Sequence, residues 1–328
     1  MVRSFLLCLL LLNHLGLCAD HVLPTPAFEI LCGKGTREGK RAWRSLKAED
    51  RQEIARFSAI FSQHFPRVRE HAQKTQEQRT KEQSRIPRVL HFIWLGPRPF
   101  PETSLENIRS WKRWHPDWKI CFWTDSASRN VPIDGMEKHL IDEIDMGVLI
   151  SPLGPYLART NNFGEQSDLI RYALLWQQGG VYVDHDVTCV QSFDALVQAF
   201  DFFACLSPPR QFAGIQTHVH LANCLIGVKK GHPIMMATIY HVKQRWETVE
   251  ARFSGDDPGT RVARVINRTF HSFTLGTKEA MSRGANVDVV LPVAMVPTDD
   301  AIAQAMLFQF AAEGLVFARH QMALTWAH

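Results

Sequence analysis

Asp168, Arg171, Asp184 and Asp186 stand within one stretch, SDLIRYALLWQQGGVYVDHDV at residues 167–187. Two carboxylates with one residue between them can direct oxygen ligands to a hard divalent cation, which keeps several waters and takes the rest of its shell from a phosphorylated substrate. Asp168 and Arg171 are three apart, so on a helix they share a face, and a guanidinium there offers a planar fork of donors to phosphate or carboxylate. Three carboxylates and a guanidinium are more charge than a helix–strand unit needs for its own structure.

The elements that must carry these groups follow from the pattern around them. Ser167 as N-cap, apolar Leu169, Ile170, Ala173, Leu174 and Trp176 at helical spacing, and Gly179-Gly180 predict a helix over about 168–178 that ends in a left-handed turn. Val181-Tyr182-Val183 predicts a buried strand, with Asp184 and Asp186 at its carboxyl end. In open α/β sheets ligands bind at that end. Upstream, the apolar run at 88–95 predicts a strand covered on both faces, followed by a helix at about 104–114 and a strand at 118–123, a β-α-β start. Trp94 closes the first of these strands, where an indole is either core or a stacking face. A helix is expected over 134–149, then a loop at 151–166 rich in Pro, Gly and Asn that can close over a substrate. Strands are expected at 200–207 and around Asn223–Gly227, and a helix from Gly231-His232-Pro233 to about 249.

The pattern Ser-Asp-x-x-Arg followed by Gly-Gly-x-Tyr-x-Asp-x-Asp resembles the sugar-nucleotide site of the retaining glycosyltransferases of family thirty-two, the DXD-motif group that includes fungal-type mannosyltransferases and inositol phosphorylceramide mannosyltransferases and is distantly related to the clostridial glucosylating toxins. IPRVLHFIWLG at 86–96 and the terminal segment from His320 to Trp326 extend the likeness over most of the chain after residue 85. The resemblance implies an α/β fold of GT-A type, a Rossmann-like nucleotide-sugar-binding sheet flanked by helices. It also implies a manganese or magnesium ion and roles for individual residues. Asp186 and His320 would approach the metal, and Asp184 the metal region and the ribose or sugar hydroxyls. Asp168 would bind sugar hydroxyls, Arg171 would bridge sugar and phosphate, Trp94 would stack on the base, and Tyr182 and Asn223 would line the donor. Thr325 and Trp326 stand where the family has a Ser-Trp pair close to the diphosphate; Leu324 replaces a usual glycine there. Asn223 reads equally as a turn-capping residue and His320 as a packed surface histidine. His185, between the aspartates, should face the other side of the strand and pack or meet solvent.

With 328 residues, 45% hydrophobic and 21% charged, the chain is long enough for one sizeable α/β domain with a helical appendage. The formal charge of +4 is mild, and no basic run is interleaved with aromatics, so nucleic acid is excluded as a partner. Residues 1–19 have a basic Arg3, an apolar run and a small Ala19, which reads as a signal peptide exporting the protein to a secretory lumen, periplasm or medium, or alternatively as a signal-anchor. Residues 20–85 form a mostly helical extension in which Leu46, Ile54, Phe57, Ile60, Phe61 and Phe65 recur at helical spacing and Pro66 interrupts. That extension either packs on the catalytic domain or meets a membrane surface or partner. The catalytic domain then spans 86–328. Seven cysteines, two of them inside the signal, show neither disulfide-framework nor metal spacing, and Cys121 and Cys205 read as core. Asn267-Arg268-Thr269 is a glycosylation acceptor sequence if the host is eukaryotic.

The expected function is thus a metal-dependent hexosyltransferase using GDP-mannose or a UDP-hexose and a glycan, glycolipid or protein acceptor. Two rivals stand beside it: a silent nucleotide- or carbohydrate-binding module of the same fold, and a toxin-like effector that glycosylates a protein.

Overall fold

The computed structural model describes residues 37–73, 83–146, 153–285 and 316–321, with Glu29 and Lys34. The proposed signal at 1–19 and Thr325-Trp326 lie outside the described residues. Two helices open the chain, α1 (Arg37–Ser45) and α2 (Ala48–Gln73). The sheet then begins: β1 (Val89–Trp94), α3 (Leu105–Trp114), β2 (Lys119–Thr124) and β3 (Glu137–Leu140). After a helical turn at Gly154–Leu157 come α4 (Phe163–Gln178), β4 (Gly180–Val183), β5 (Val187–Cys189), α5 (Asp194–Ala199), β6 (Phe202–Leu206) and β7 (Leu221–Val228). Helices α6 (Pro233–Arg252), α7 (Pro258–Val265) and α8 (His271–Ser282) follow, with a π-helical turn at Ile266–Phe270, and β8 (Ala318–His320) is the last described element.

The main sheet runs β3-β2-β1-β4-β7-β6. The first four strands in that order are parallel, and β7 lies antiparallel between β4 and β6. This is a mostly parallel, Rossmann-like α/β sheet, as the sequence led us to expect. The chain builds outward from β1 to β2 and β3, then returns to the other side of β1 with β4, so β1 and β4 flank the switch point. Crevices between carboxyl ends open at such a point. Trp94 ends β1 there, and Asp184 follows β4.

Several elements explain themselves. Four of the six β1 residues are buried, as expected for a strand covered on both faces. Helix α4 is buried along Ser167–Leu175, because it lies under the sheet's switch point rather than at the surface. It leaves for β4 through Gly179 and Gly180 at φ 69° and 103°. A Cβ on Gly180 would come within 2.8 Å of His91 Nε2 and 2.9 Å of the Val89 carbonyl, so only glycine lets β4 approach β1. His91 is itself buried and neutral: burial drives its pKa down to about 4, its Nε2–H donates to the Gly179 carbonyl at 3.0 Å, and Nδ1 accepts from Trp123 Nε1 at 3.1 Å.

The sequence expectation fails at four places. Helix α4 starts at Phe163, capped by the Asn162 side chain, which accepts from the Glu165 amide; Ser167 is buried inside the helix rather than at its N-cap. The helix expected over 134–149 is instead β3 and a 3₁₀ turn at Ile141–Glu143, because pairing of Cys121–Thr124 with Glu137–Leu140 outweighs local propensity; residues 147–149 lie outside the described part. The last turn of the expected 151–166 loop is already helix. Pro66 does not interrupt: α2 runs through it, held by buried Phe57, Phe61 and Val68 on both sides of the lost hydrogen bond. That apolar face of α2 packs on the domain. Among the described residues no helix is long and apolar enough to cross a membrane.

Candidate active site

Asp184, Asp186 and His320 each offer one ligand atom, and these atoms lie within 4.8 Å of one another. Asp184 and Asp186 come from the turn after β4, which is pinned when the Asp184 amide donates to the Cys224 carbonyl at 2.8 Å and the Val187 amide to the Asp184 carbonyl at 3.1 Å. His320 arrives from the far end of the chain because β8 pairs antiparallel with β5, setting His320 opposite Val187. Its Nε2 stands 3.3 Å from Asp186 Oδ1. Burial opposes a proton on this imidazole, but the Cys224 thiol and the Asp186 carboxylate outweigh it and hold its pKa well above the ordinary histidine range. Two carboxylate oxygens and an imidazole, once an ion displaces that proton, are a donor set suited to manganese or magnesium completed by water and phosphate.

Beneath this cluster lies the second group of charges. Arg171 reaches Asp168 Oδ1 at 2.9 Å and Asp184 Oδ1 at 3.3 Å with Nη2, and donates from Nη1 to the Asn223 carbonyl at 2.7 Å. Its carbon centre sits 4.1 Å above the Tyr182 ring, and Tyr182 OH donates to Asp184 Oδ1 at 2.5 Å. Asn223 Nδ2 donates to Asp168 Oδ1 at 3.0 Å and to Tyr172 OH at 3.1 Å. The Thr269 hydroxyl meets Asp168 Oδ2. Burial pushes the Asp168 carboxyl up to about 6, against the pull of Arg171 and Thr269. Burial likewise opposes the charge on Arg171, but Asp168, Tyr182 and Asp184 keep it protonated.

Of the residues singled out from sequence, the structure thus gathers Asp168, Arg171, Tyr182, Asp184, Asp186, Asn223 and His320 in one place. Asp184 is partly exposed, whereas Asp168 and Arg171 form the floor. Trp94 is set to one side: its Nε1 donates to the Arg98 carbonyl at 2.9 Å, and its ring meets His185 and Phe100 edge-on at 5.1 and 5.3 Å. His185 therefore packs, with Nδ1 2.8 Å from Ser104 Oγ. Next to Trp94 opens a cleft of about 520 Å³ lined by Gly96, Arg98, Asp125, Arg129 and Phe163. Gly96 ends the run at 86–96 and Phe163 lies in the expected substrate loop, whereas the sequence marked none of the other three. Asp125 accepts from the Gly96 amide at 2.8 Å, and Phe163 is 43% exposed on its rim.

Tyr172 and Thr269 were also missed. The only local signal at 267–269 was the glycosylation tripeptide, and that reading is corrected here. Asn267 is buried, with Nδ2 donating to the carbonyls of Ala213 at 2.9 Å and Ala263 at 2.8 Å, so it cannot meet a glycosylating enzyme in the folded chain. Cys121, Cys189, Cys205 and Cys224 are free and buried, as a core reading requires.

A mostly parallel sheet with acidic residues at its switch point defines the class, a mixed α/β protein of Rossmann-like build. Residues 101–203 match the family described as glycosyltransferase sugar-binding region containing DXD motif. The chain resembles subversion of eukaryotic traffic protein A of Legionella pneumophila, 24% identical over 58% of this chain and 31% of that protein. It resembles inositol phosphoceramide mannosyltransferase 3 of Schizosaccharomyces pombe at 26% identity over 47% of this chain and 36% of that one. Among solved structures, PaToxG glycosyltransferase aligns with 75% of this chain and 83% of its own at 19% identity and a TM-score of 0.44. The chain spans about a third of the length of the two curated relatives. These likenesses are to DXD-motif glycosyltransferases or to proteins that resemble this chain over part of its length.

Proposed function

We propose that the chain is a metal-dependent glycosyltransferase that moves a hexose from a nucleotide sugar to a glycan, glycolipid or protein acceptor, with retention of anomeric configuration as its resemblance implies. The observation that carries this reading is the convergence of Asp184, Asp186 and His320 beside Arg171, at the switch point of a chain whose residues 101–203 match the DXD sugar-binding region. A silent binding module has no need to bury a guanidinium between two carboxylates under a cation site.

Asp184, Asp186 and His320 would hold the ion. Bound manganese or magnesium would neutralise the diphosphate as negative charge grows on it. Arg171 keeps a fixed positive charge close to the same place, and its desolvated surroundings make that charge count for more than it would in water. Asp184, the partly exposed acid, would face the hydroxyls of sugar or ribose. The cleft beside Trp94 is proposed to take the base. GDP-mannose is the favoured donor on the strength of the fungal relatives named as mannosyltransferases. The toxin-like reading keeps its place because the Legionella relative covers more of this chain than those do. Residues 1–19 would export the protein, and the acceptor would then be met in a lumen or outside the cell.

The test is hydrolysis of GDP-mannose, UDP-glucose, UDP-galactose and UDP-N-acetylglucosamine by purified protein with manganese. Turnover of one donor that chelator abolishes supports the reading. Asp186→Ala should remove that turnover with the circular dichroism spectrum unchanged. Chelator-resistant activity in the wild type would remove the metal from the scheme.

A further inference from the structure

Thr269 is fully buried, lies 101 residues from Asp168 in sequence, and yet its hydroxyl meets Asp168 Oδ2. It is carried by the π-helical turn Ile266–Phe270 between α7 and α8. Such turns add a residue to the helical ladder, are rare, and concentrate at functional sites. The hydroxyl also stands 2.9 Å from the Val265 carbonyl, four residues back. A hydroxyl has one proton, so the two acceptors compete for it. Tyr172 OH donates to the Thr269 carbonyl at 3.2 Å and accepts from Asn223 Nδ2 at 3.1 Å, and that same amide donates to Asp168 Oδ1. Both oxygens of Asp168 therefore have protein partners. What remains for the carboxylate to act upon is Arg171, which in turn touches Asp184.

We infer that Thr269 is a positioning residue of the donor site: delivered by the π-turn, it fixes Asp168, and through Asp168 it fixes where the Arg171 guanidinium stands relative to Asp184. This rests on the glycosyltransferase reading for its effect on turnover, but its effect on the cation site does not. With Asp168 held, Arg171 is shared between two carboxylates and Asp184 keeps an oxygen for the ion. With Asp168 released, the guanidinium leans on Asp184 and competes with the cation.

The experiment compares the full-length wild type with Thr269→Val, which keeps the shape and loses the hydroxyl, and Thr269→Ser, which keeps the hydroxyl. Three quantities are read: kcat and donor KM for the nucleotide sugar that the wild type hydrolyses, manganese affinity of the donor-free protein by electron paramagnetic resonance, and melting temperature. Thr269→Val should lower kcat roughly tenfold while KM moves less than about twofold, since the affected charge acts as the bond breaks. Its manganese dissociation constant should rise roughly threefold. Serine should restore both. A lower melting temperature with kcat and manganese affinity unchanged would reduce Thr269 to a helix staple and overturn the inference. A wild type that hydrolyses no nucleotide sugar, in a protein whose manganese affinity still falls in Thr269→Val, would sink the proposed function and keep the positioning role. A wild type that binds no manganese sinks both. Should Thr269→Val not fold, Tyr172→Phe removes the hydroxyl that holds the Thr269 carbonyl. It should move kcat and manganese affinity in the same direction by roughly threefold, and wild-type values there overturn the inference too.

Discussion

At the scale of single residues, the site divides into groups that face solvent and groups that hold them. Arg171 belongs to the second. The ion pair it makes with Asp168 is the kind that contributes only a few tenths of a kcal/mol when exposed, but here both partners are buried and a second carboxylate, Asp184, is in reach. Arg171→Lys keeps the charge and loses the planar fork, so kcat for donor turnover should fall about tenfold or more, a loss of at least ~1.4 kcal/mol of transition-state stabilisation. A normal kcat in that variant would place the sugar elsewhere. Trp94 is tested by Trp94→Ala, which should raise donor KM roughly fivefold if the indole stacks on the base at ~1 kcal/mol, and leave kcat alone. The raised pKa of Asp168 sets a pH dependence. Its carboxyl, at about 6 in the folded chain, holds a proton that the unfolded chain has lost, so its contribution to stability is present below the ordinary carboxylate value and fades as pH rises toward 6. Activity follows the opposite sense, because the ionised form is what holds Arg171. Donor turnover should therefore climb between about pH 5 and 7, and a pH–rate profile flat over that interval would show that Asp168 is ionised throughout.

At the scale of elements, what the sequence revealed and what it hid have separate causes. Strands β1, β2 and β4 and helix α3 were legible because each is a local apolar pattern closed by glycine, proline or a polar turn, and the Asp-x-Asp lies directly after one of them. The grouping of Asp168 with Arg171 was legible because three residues apart on a helix means one face. Tyr172, Thr269 and the cleft at Asp125 and Phe163 were not, because their positions depend on how α4, the π-turn and the β1–β2 ends pack, which no local pattern encodes. Strand β3 was misread for the same reason: its four residues, Glu-Lys-His-Leu, are strand only because β2 offers a parallel edge. Gly179-Gly180 is the reverse case, a local signal whose meaning is tertiary. Gly180→Ala should destabilise by roughly 2–4 kcal/mol, since the new methyl meets His91 and the Val89 carbonyl at a φ of 103°. Thermal unfolding decides it; a melting temperature within a degree of wild type would mean that β4 can back away from β1.

At the scale of the whole molecule, the helical extension and the main sheet's domain are joined, besides the apolar face of α2, by a buried polar contact whose strength can be titrated. Asp50, in the first turn of α2, accepts from the Thr217 hydroxyl at 2.8 Å, from the His218 amide at 3.0 Å and from His218 Nδ1–H at 2.7 Å. Both side chains are almost completely shielded, and Lys278 near Glu53 at 3.6 Å adds a weaker tether. Burial alone would raise the Asp50 carboxyl, but Thr217 and His218 outweigh it and leave its pKa below the ordinary value of 3.8. The sign is thus opposite to that of Asp168: the contribution of Asp50 is complete above the unfolded value and is lost as pH falls through the folded one. Asp50→Asn keeps the shape, loses the charge, and sets an amide N–H against the His218 N–H. It should cost about 1–3 kcal/mol at neutral pH and lower the melting temperature by a few degrees. If the extension folds with the sheet as one cooperative unit, the transition stays single and merely moves. If the extension is a separately stable appendage, a low-temperature shoulder appears in the calorimetric trace while the main peak and donor turnover stay where they were. The same pair of proteins measured from pH 6 down to pH 3 checks the cause, because a gap in stability that narrows as Asp50 protonates belongs to its charge, and a gap that stays constant belongs to packing alone.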